Sequence, residues 1–235
     1  MAEAILPFHD CVTCQARKPG WFCDLPAHVL TTYDAIGVHQ MLPAGAKIFS
    51  EGQEARGVAV LCSGRVKLTR SSKDGKVFLV RIAKTGDVLG LSAVLAGTPY
   101  EVTAEAMEPI QMKVFQRDEF LHFLEHHVEG NQHAAESLNN EYRAALLDAC
   151  RLALSNSIAG RMAHLLLQLA DEAGTLDKEQ PEVHLPLTHE DLAAMLGTTR
   201  ESVTRVLSDL KRRHILAIVG NKARILRKNA LEALA

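Results

Sequence analysis

Three cysteines near the start of the chain have the type and spacing of metal ligands. Cys11, Cys14 and Cys23 lie within "HDCVTCQARKPGWFC", and the whole chain has five cysteines. Thiolates are soft ligands that suit iron–sulfur clusters or zinc. A C-x2-C pair places two sulfurs on one turn, and the following loop is long enough to bring in the third. Arg17 and Lys18 in that loop favour the thiolate form of the cysteines.

A second set of chemically informative residues lies in "LTHEDLAAMLGTTRESVTRVLSDLKRRHIL". Arginine donates two hydrogen bonds to guanine O6 and N7, and glutamate accepts one from cytosine N4. The pattern Arg-Glu-x-x-x-Arg therefore predicts a helix that reads a G·C-containing site. Residues at the starts of the two helices are expected to hold phosphates. The predicted DNA-binding residues are Thr188, His189, Thr199, Arg200, Glu201, Thr204 and Arg205.

Two short helices are predicted to position these residues. Thr188 followed by Asp191 resembles a capping box, and Thr198 followed by Glu201 resembles a second one. Gly197 lies where the first helix would end. Two helices joined by a tight turn with glycine make a helix-turn-helix. Beyond them, "ILAIV" and "ARIL" around a Gly-Asn turn predict a small β-hairpin wing.

The second of these helices is predicted to have an apolar and a polar face. Four apolar residues recur at helical spacing and should face the core: Val203, Val206, Leu207 and Leu210. The residues left outward are Arg200, Glu201, Thr204, Arg205 and Ser208. The alternative is a helical hairpin with a solvated basic face, on which Glu201 and Arg205 form an ordinary i, i+4 ion pair.

The first half of the chain is punctuated by glycine. Nine of the fifteen glycines lie between Gly37 and Gly97, separated by short apolar or alternating runs. Short strands with regular glycine turns are typical of an all-β sandwich or barrel. "SKDGK" predicts a hairpin turn in which Asp74 and Gly75 supply positive φ angles. With the helices elsewhere, the fold class is α+β.

A long helix is predicted between these two parts. "RDEFLHFLEHH" should be a helix that Gly130 ends, and residues 131–154 contain neither glycine nor proline. Heptad spacing within that span predicts either packing on its own barrel or a coiled coil between two subunits. The predicted interface residues are Ala135, Leu138, Tyr142, Ala145, Ala149 and Leu152. Another helix should run roughly over residues 155–173, and "EAGTLDKEQPEVHLP" should be a surface loop.

Composition places the chain among ordinary soluble proteins. No apolar run approaches the ~20 residues that cross a bilayer, and the first residues lack the features of a secretory signal. We therefore expect a cytoplasmic protein with no membrane partner and with reduced cysteines. The net charge is −2, yet residues 200–227 hold eight Lys or Arg and only two acids. Such a local basic face suits DNA. The common catalytic motifs are missing, so no enzyme is expected.

The order of these parts resembles the CRP/FNR family of bacterial transcription regulators. "GTTRESVTRVL" is similar to the CRP branch, because Arg200, Glu201 and Arg205 occupy its reading positions. The resemblance implies a homodimer on double-stranded DNA that reads TGTGA-like inverted repeats and recruits or obstructs RNA polymerase. It also implies the following domains: a cysteine-bearing segment at 1–26, a cyclic-nucleotide-binding-like β-roll of jelly-roll type at 27–128, a dimerisation helix at 129–154, and a winged helix-turn-helix at 155–235.

The resemblance to the CRP branch does not extend to the cyclic AMP site. That branch binds the nucleotide through a cassette that begins Gly-Glu-Leu and has Arg-Ser some ten residues later. Here Gly90 is followed by Leu91, and Glu101 and Val102 stand where Arg-Ser would fall. A carboxylate at that position would repel a phosphate. Cyclic AMP is therefore not expected to bind in the familiar mode.

The cysteines resemble the FNR branch, which holds a [4Fe–4S] cluster with an N-terminal cysteine group and one later cysteine. Cys11, Cys14 and Cys23 fit the group, which would make the protein a sensor of oxygen, nitric oxide or redox state. Gln111 and Met112 stand where the later cysteine would fall.

The identity of a fourth ligand is left open. Cys62 is expected to be a core-facing strand residue, and Cys150 a packing residue. His9, Asp10 or an acid on the dimerisation helix are alternatives. Structural zinc or free thiols are alternatives to the cluster itself, in a CRP-like regulator that is independent of effectors or responds to another small ligand.

Overall fold

The computed structural model describes residues 10–155, 157–185 and 187–235. They form two compact units that divide between Arg143 and Ala144. His9, considered above as a ligand, lies outside the described residues. None of the helices in these ranges combines the length and the apolar character that a membrane span requires.

The first unit is the predicted β-roll. Its eight strands are β1 (Gly37–Leu42), β2 (Lys47–Phe49), β3 (Gly57–Ser63), β4 (Val66–Ser71), β5 (Val77–Ala83), β6 (Val88–Leu89), β7 (Thr103–Ala106) and β8 (Ile110–Gln116). They form two four-stranded antiparallel sheets, ordered β1-β8-β3-β6 and β2-β7-β4-β5. Apolar residues of both sheets join one core, among them Val60, Met112, Val66 and Leu68.

The predicted hairpin at "SKDGK" joins β4 to β5. Gly75 has a φ of +77°, and the amide of Ser72 donates to the carbonyl of Lys76 at 2.8 Å. Two short helices complete the roll: α1 (Ala27–Ile36) and α2 (Leu91–Ala96). Neither was predicted from the sequence. Val29, Leu30 and Tyr33 of α1 are buried, so this helix covers part of the core.

The long helix begins earlier than predicted. Helix α3 (Arg117–His126) ends at His127, and α4 (Val128–Leu154) begins immediately afterwards. Gly130, predicted to end the preceding helix, instead lies inside α4. A Cβ at Gly130 would come within 2.5 Å of the ring of Phe123. The glycine therefore allows the start of α4 to pack closely on α3, rather than breaking a helix.

The second unit is a winged helix-turn-helix. Its elements are α5 (Ile158–Glu172), β9 (Glu182–His184), α6 (His189–Leu196), α7 (Arg200–Arg212), β10 (Leu216–Val219), β11 (Lys222–Ile225) and α8 (Lys228–Glu232). Ser157 caps α5 by accepting a hydrogen bond from the amide of Gly160, so this helix starts later than expected. The predicted surface loop contains a strand, because β9 pairs with β11 and buries Val183.

Candidate nucleic-acid interface and cysteine site

Helices α6 and α7 are held at their starts by side-chain caps. Thr188 and Asp191 form the predicted capping box, and Gly197 ends α6 with a φ of +60°. The cap of α7 is Thr199, whose hydroxyl accepts from the amide of Ser202 at 3.3 Å. The sequence pattern predicted this second cap at Thr198, one residue before the cap seen in the structure. The tight turn between the two caps fixes where α7 emerges.

The two faces of α7 are those predicted from its spacing. Val203, Leu207 and Leu210 are buried, and Val206 is half-buried. The outward residues are all exposed: Arg200, Glu201, Thr204, Arg205 and Ser208. The buried face anchors the helix in the unit, and the polar face is open to a partner.

One contact joins the starts of the two helices. Nδ1 of His189 lies 2.8 Å from Oγ of Thr204, and that hydroxyl donates to the carbonyl of Arg200 at 3.0 Å. Because the hydroxyl has one hydrogen and gives it to the carbonyl, Nδ1 of His189 is the donor of the first contact. A predicted phosphate-contacting residue thus lies directly beside the predicted reading residues.

Glu201 carries its charge on the exposed face of α7. Its pKa lies below the ordinary value, chiefly because its own backbone N–H, and then the Thr199 hydroxyl, donate to the carboxylate. An ionised carboxylate is the acceptor that a cytosine amino group needs. Within the described ranges no ion pair joins Glu201 to Arg205, so the alternative of an ordinary i, i+4 pair is not formed.

Part of the basic surface is neutralised within the unit. Asp209 pairs with both Arg212 and Arg213 near the end of α7. On the wing, Nε of Arg224 donates to the carboxylate of Glu182 at 2.8 Å. The arginines at the start of α7 have no such acid partner among the described ion pairs, which leaves positive charge concentrated at the helix start.

The cysteine-bearing segment of the first unit is packed against the β-roll. Phe22 is buried and its ring contacts those of Tyr33 and Phe120. Trp21 lies over Gly86, where a Cβ would come within 2.5 Å of the indole. Nδ1 of His133 on α4 lies 3.2 Å from the carbonyl oxygens of both Trp21 and Phe22. The segment is therefore attached to the roll and to the first turns of α4.

The cysteines of this segment and of β3 are buried or half-buried. Burial raises the pKa of Cys11 and of Cys23 to about 12, and that of Cys62 to about 11. Charge on Cys62 contributes to raising the pKa of both Cys11 and Cys23, and charge on Cys14 does so for Cys23 and Cys62. Cys62 was predicted to face the core, and the structure leaves its side chain half-buried.

A buried cation lies beside these thiols. Lys113 of β8 is only 1% exposed, and its ammonium forms an ion pair with Asp34. The same nitrogen lies 3.4 Å from Nε2 of His39. Ligand atoms of Cys11, Asp34 and His39 fall within 4.8 Å of one another, as for a single metal ion. The Lys113 ammonium contacts Asp34 and His39 of this trio, so a positive charge is already present where a metal ion would bind.

Two family models match the chain, one in each compact unit. The model for the "Crp-like helix-turn-helix domain" matches residues 160–234, and the model for the "Cyclic nucleotide-binding domain" matches residues 39–127. The matches fall on the winged helix-turn-helix and on the β-roll. Along the chain these two domains follow the order that is typical of CRP/FNR regulators. The chain belongs to the CRP/FNR family. It is a DNA-binding transcription regulator of the CRP/FNR type.

Individual CRP/FNR relatives match over most of their lengths. The CRP-like cAMP-activated global transcriptional regulator of Mycobacterium tuberculosis is 26% identical over 183 residues, covering 78% of this chain and 81% of its own. The transcriptional activator protein FnrL of Cereibacter sphaeroides is 28% identical over 222 residues, covering 91% and 86%. A solved CRP-family regulator from Thermus thermophilus has a TM-score of 0.66 at 28% identity, covering 83% and 96%. These relatives are regulators, which agrees with a non-enzymatic role.

The exposed apolar residues of α4 differ in part from the heptad positions that were predicted to form the dimer interface. Leu138 packs against the core of its own β-roll. Ala135, Ala145 and Ala149 are exposed, Tyr142 is 67% exposed, and Leu152 is half-buried. Sequence reasoning missed two further exposed leucines on this helix, Leu146 and Leu147. The heptad register that contains Tyr142, Leu146 and Ala149 would have included the first of them.

The stretch that corresponds to the CRP cyclic AMP cassette contains helix α2 and an exposed carboxylate, that of Glu101. Gly90 has a φ of +78° and begins α2, and Leu91 is buried. The carboxylate of Glu101 is exposed and accepts a hydrogen bond from Ser92 at 3.1 Å. Val102 packs against the core. A negative group therefore lies where CRP-like proteins place a phosphate ligand.

Proposed function

We propose that this CRP/FNR regulator is a homodimer that reads TGTGA-like inverted repeats and is controlled by an iron–sulfur cluster held by Cys11, Cys14 and Cys23. The observation that carries the control function is the packing of the cysteine-bearing segment against the β-roll and the start of α4. The output is recruitment or obstruction of RNA polymerase, as the family resemblance implies.

The proposed recognition of base pairs rests on residues at the start of α7. Arg200, Glu201 and Arg205 are exposed on one face, and the ionised carboxylate suits a cytosine amino group. Thr188, His189 and Thr199 lie at the helix starts, where backbone N–H groups and the helix dipole favour phosphates. The His189–Thr204 contact would set the phosphate-contacting groups at a fixed distance from the base-contacting ones.

The dimer rests on the exposed apolar side chains of α4. Tyr142, Leu146 and Leu147 are each at least half exposed to solvent in one chain. Covering such a row with the same row of a second subunit gives the two-fold interface typical of paired helices. Two recognition helices related by a two-fold axis would then read an inverted repeat.

The thiols fit a cluster better than they fit a single zinc ion. Zinc with bonds of about 2.3 Å to four sulfurs keeps those sulfurs about 3.8 Å apart. Among the described residues, no three cysteine sulfurs lie within 4.8 Å of one another. A cluster distributes its thiolates over several irons and suits the wider arrangement. When bound, a [4Fe–4S] cluster would supply a group that reacts with oxygen or nitric oxide.

This chain's own residues supply the route from the cysteines to α4. His133 donates to the carbonyl oxygens of Trp21 and Phe22, immediately before Cys23. Trp21 lies over Gly86, and the next residue in the chain is Asp87. The Asp87 carboxylate accepts a hydrogen bond from Arg81 at 2.8 Å. Arg81 also donates to Glu141 of α4. Movement of the cysteine-bearing segment would therefore bias the position of the dimerisation helix, and with it the two reading helices.

An operator-binding assay tests the proposal. The full chain is purified without oxygen, analysed for iron and sulfide, and titrated with an inverted TGTGA-like repeat before and after exposure to air. We expect iron and sulfide in the protein and DNA affinity that changes on exposure. Iron-free protein with the same affinity in both conditions would instead support the effector-independent regulator.

A further inference from the structure

We propose that Cys62 is the fourth ligand of the iron–sulfur cluster, so that the site is completed by strand β3. This inference rests on the cluster of the proposed function. It assigns a ligand from the middle of the β-roll, far along the chain from the other three cysteines.

The local structure of β3 presents this side chain in an unusual way. Leu61 pairs with Met112 and Ser63 pairs with Gln111, so Cys62 has no partner residue on β8. Such a bulge leaves one residue outside the ladder and redirects its side chain. The thiol of Cys62 lies 3.7 Å from the carbonyl oxygen of Val60, and its residue is half-buried. The bulge explains why a residue in a buried strand is available to a ligand.

The cysteine-bearing segment is brought to this end of β3 by backbone contacts. Gly86 and Leu61 are joined by a hydrogen bond of 2.8 Å from the glycine amide to the leucine carbonyl. The amide of Phe22 donates to the carbonyl of the same glycine at 3.4 Å. Cys23 and Cys62 therefore follow two residues that contact one shared glycine.

Two cations, Lys113 and Arg17, lie beside the site and would offset part of the negative charge of bound thiolates. Each thiol would lose its proton to the solvent as its sulfur binds iron, which leaves negative charge in a buried place. The ammonium of Lys113 pairs with Asp34, whose carboxylate accepts a hydrogen bond from the amide of Cys11 at 3.2 Å. A guanidinium nitrogen of Arg17 also donates to the carbonyl of Cys11 at 3.2 Å.

Two carboxylates close to Cys11, those of Asp34 and Asp10, are engaged in other contacts. Asp34 forms the ion pair with Lys113 and accepts from the amide of Cys11. Asp10 is exposed and accepts from the amide of Val12 at 2.6 Å. An oxygen ligand from either would have to give up these contacts, whereas the Cys62 sulfur keeps its place in the strand.

Iron loading of matched cysteine variants tests the assignment. The full chain is reconstituted without oxygen from ferrous iron and sulfide as wild type, Cys62→Ala, Cys62→Ser and Cys150→Ser. Cys150 is an exposed cysteine on α4 and serves as the matched control. Wild type and Cys150→Ser should bind about four irons per subunit, and both Cys62 variants should lose at least about half of that iron and sulfide.

Labelling the wild type gives a measurement that does not depend on how the variants fold. Iodoacetamide should modify Cys62 about tenfold more slowly in loaded than in unloaded protein, while Cys150 reacts equally in both. Equal labelling of Cys62 in the two forms, or full iron in the Cys62 variants, would overturn the assignment and leave the cluster intact. Wild type that takes up no iron or sulfide would overturn the cluster itself.

Discussion

The reading surface on α7 and the cysteine site on the β-roll are built in opposite ways. Every residue of the reading surface lies within residues 188–205, on two capped helices joined by one turn. The cysteine site combines residues from positions 11 to 113, carried by a loop, a helix and two strands. The first is exposed and charged, whereas the residues of the second are buried or half-buried.

This difference predicts how each region responds to change. A side chain on the exposed face of α7 can be replaced without disturbing the buried face, so its effect should be limited to recognition. A residue of the cysteine site packs against several elements, so its replacement should affect ligand binding and the position of α4 together. The variants below separate these two expectations, beginning with the largest effect.

Replacing Cys14 by Ser should remove almost all iron from the anaerobically purified protein. A serine hydroxyl is a much poorer ligand for iron than a thiolate. The variant should still bind the inverted repeat, but its affinity should no longer change on exposure to air. Iron analysis and fluorescence anisotropy measure the two effects, and Cys150→Ser is the control. Full iron content in the Cys14 variant would contradict the assignment of the site.

Replacing Leu146 by Lys should weaken the dimer and its binding to the full repeat roughly a hundredfold, because a charge would be buried at each copy of the interface. Sedimentation analysis should detect monomers at concentrations where the wild type is dimeric. Val77→Lys, an exposed valine on the β-roll, is the matched control. An unchanged dimer in Leu146→Lys would show that another surface joins the subunits.

Replacing Arg205 by Ala should cost ~1–3 kcal/mol of discrimination at one base pair. Thr199→Ala, which removes a residue predicted to hold phosphate, should weaken all sites more evenly. Selection of binding sites from a random DNA pool compares the two variants. Iron content should be normal in both, and unchanged half-sites for Arg205→Ala would exclude this arginine from reading.

Replacing His133 by Ala should leave iron binding intact and reduce the change in DNA affinity on exposure to air by a few-fold. The imidazole contacts two carbonyl oxygens, and a typical hydrogen bond contributes about 1 kcal/mol. His122→Ala, an exposed histidine on α3, is the control. A response equal to that of the wild type would place the route to α4 elsewhere, with the Arg81–Glu141 pair as the next candidate.

The smallest expected effect is that of cyclic AMP, which should neither bind with micromolar affinity nor alter DNA binding. Glu101 and Val102 offer no positive group to a phosphate, and the carboxylate repels it. Isothermal calorimetry is the direct measurement. Heat of micromolar binding together with a change in DNA affinity would contradict this prediction.

The same contrast explains which features could be predicted from the sequence. The caps, faces and wing of the second unit depend on residues a few positions apart, so the sequence patterns predicted them, with the α7 cap wrong by one residue. The proposed ligand role of Cys62 depends on a bulge opposite β8, and the ion pair of Lys113 depends on Asp34, which is distant in sequence. The pairing of β9 with β11 and the packing of Gly130 on Phe123 are likewise contacts that local patterns do not contain.

The bulge at Cys62 also defines how easily sensing and folding can be separated. On the partner strand, Met112 and Gln111 are adjacent, whereas Leu61 and Ser63 have one residue between them. Deleting that single residue would remove the sulfur and at the same time make the ladder between β3 and β8 regular. A descendant of this protein could therefore lose its fourth thiol in one codon and keep its β-roll and its DNA-binding unit.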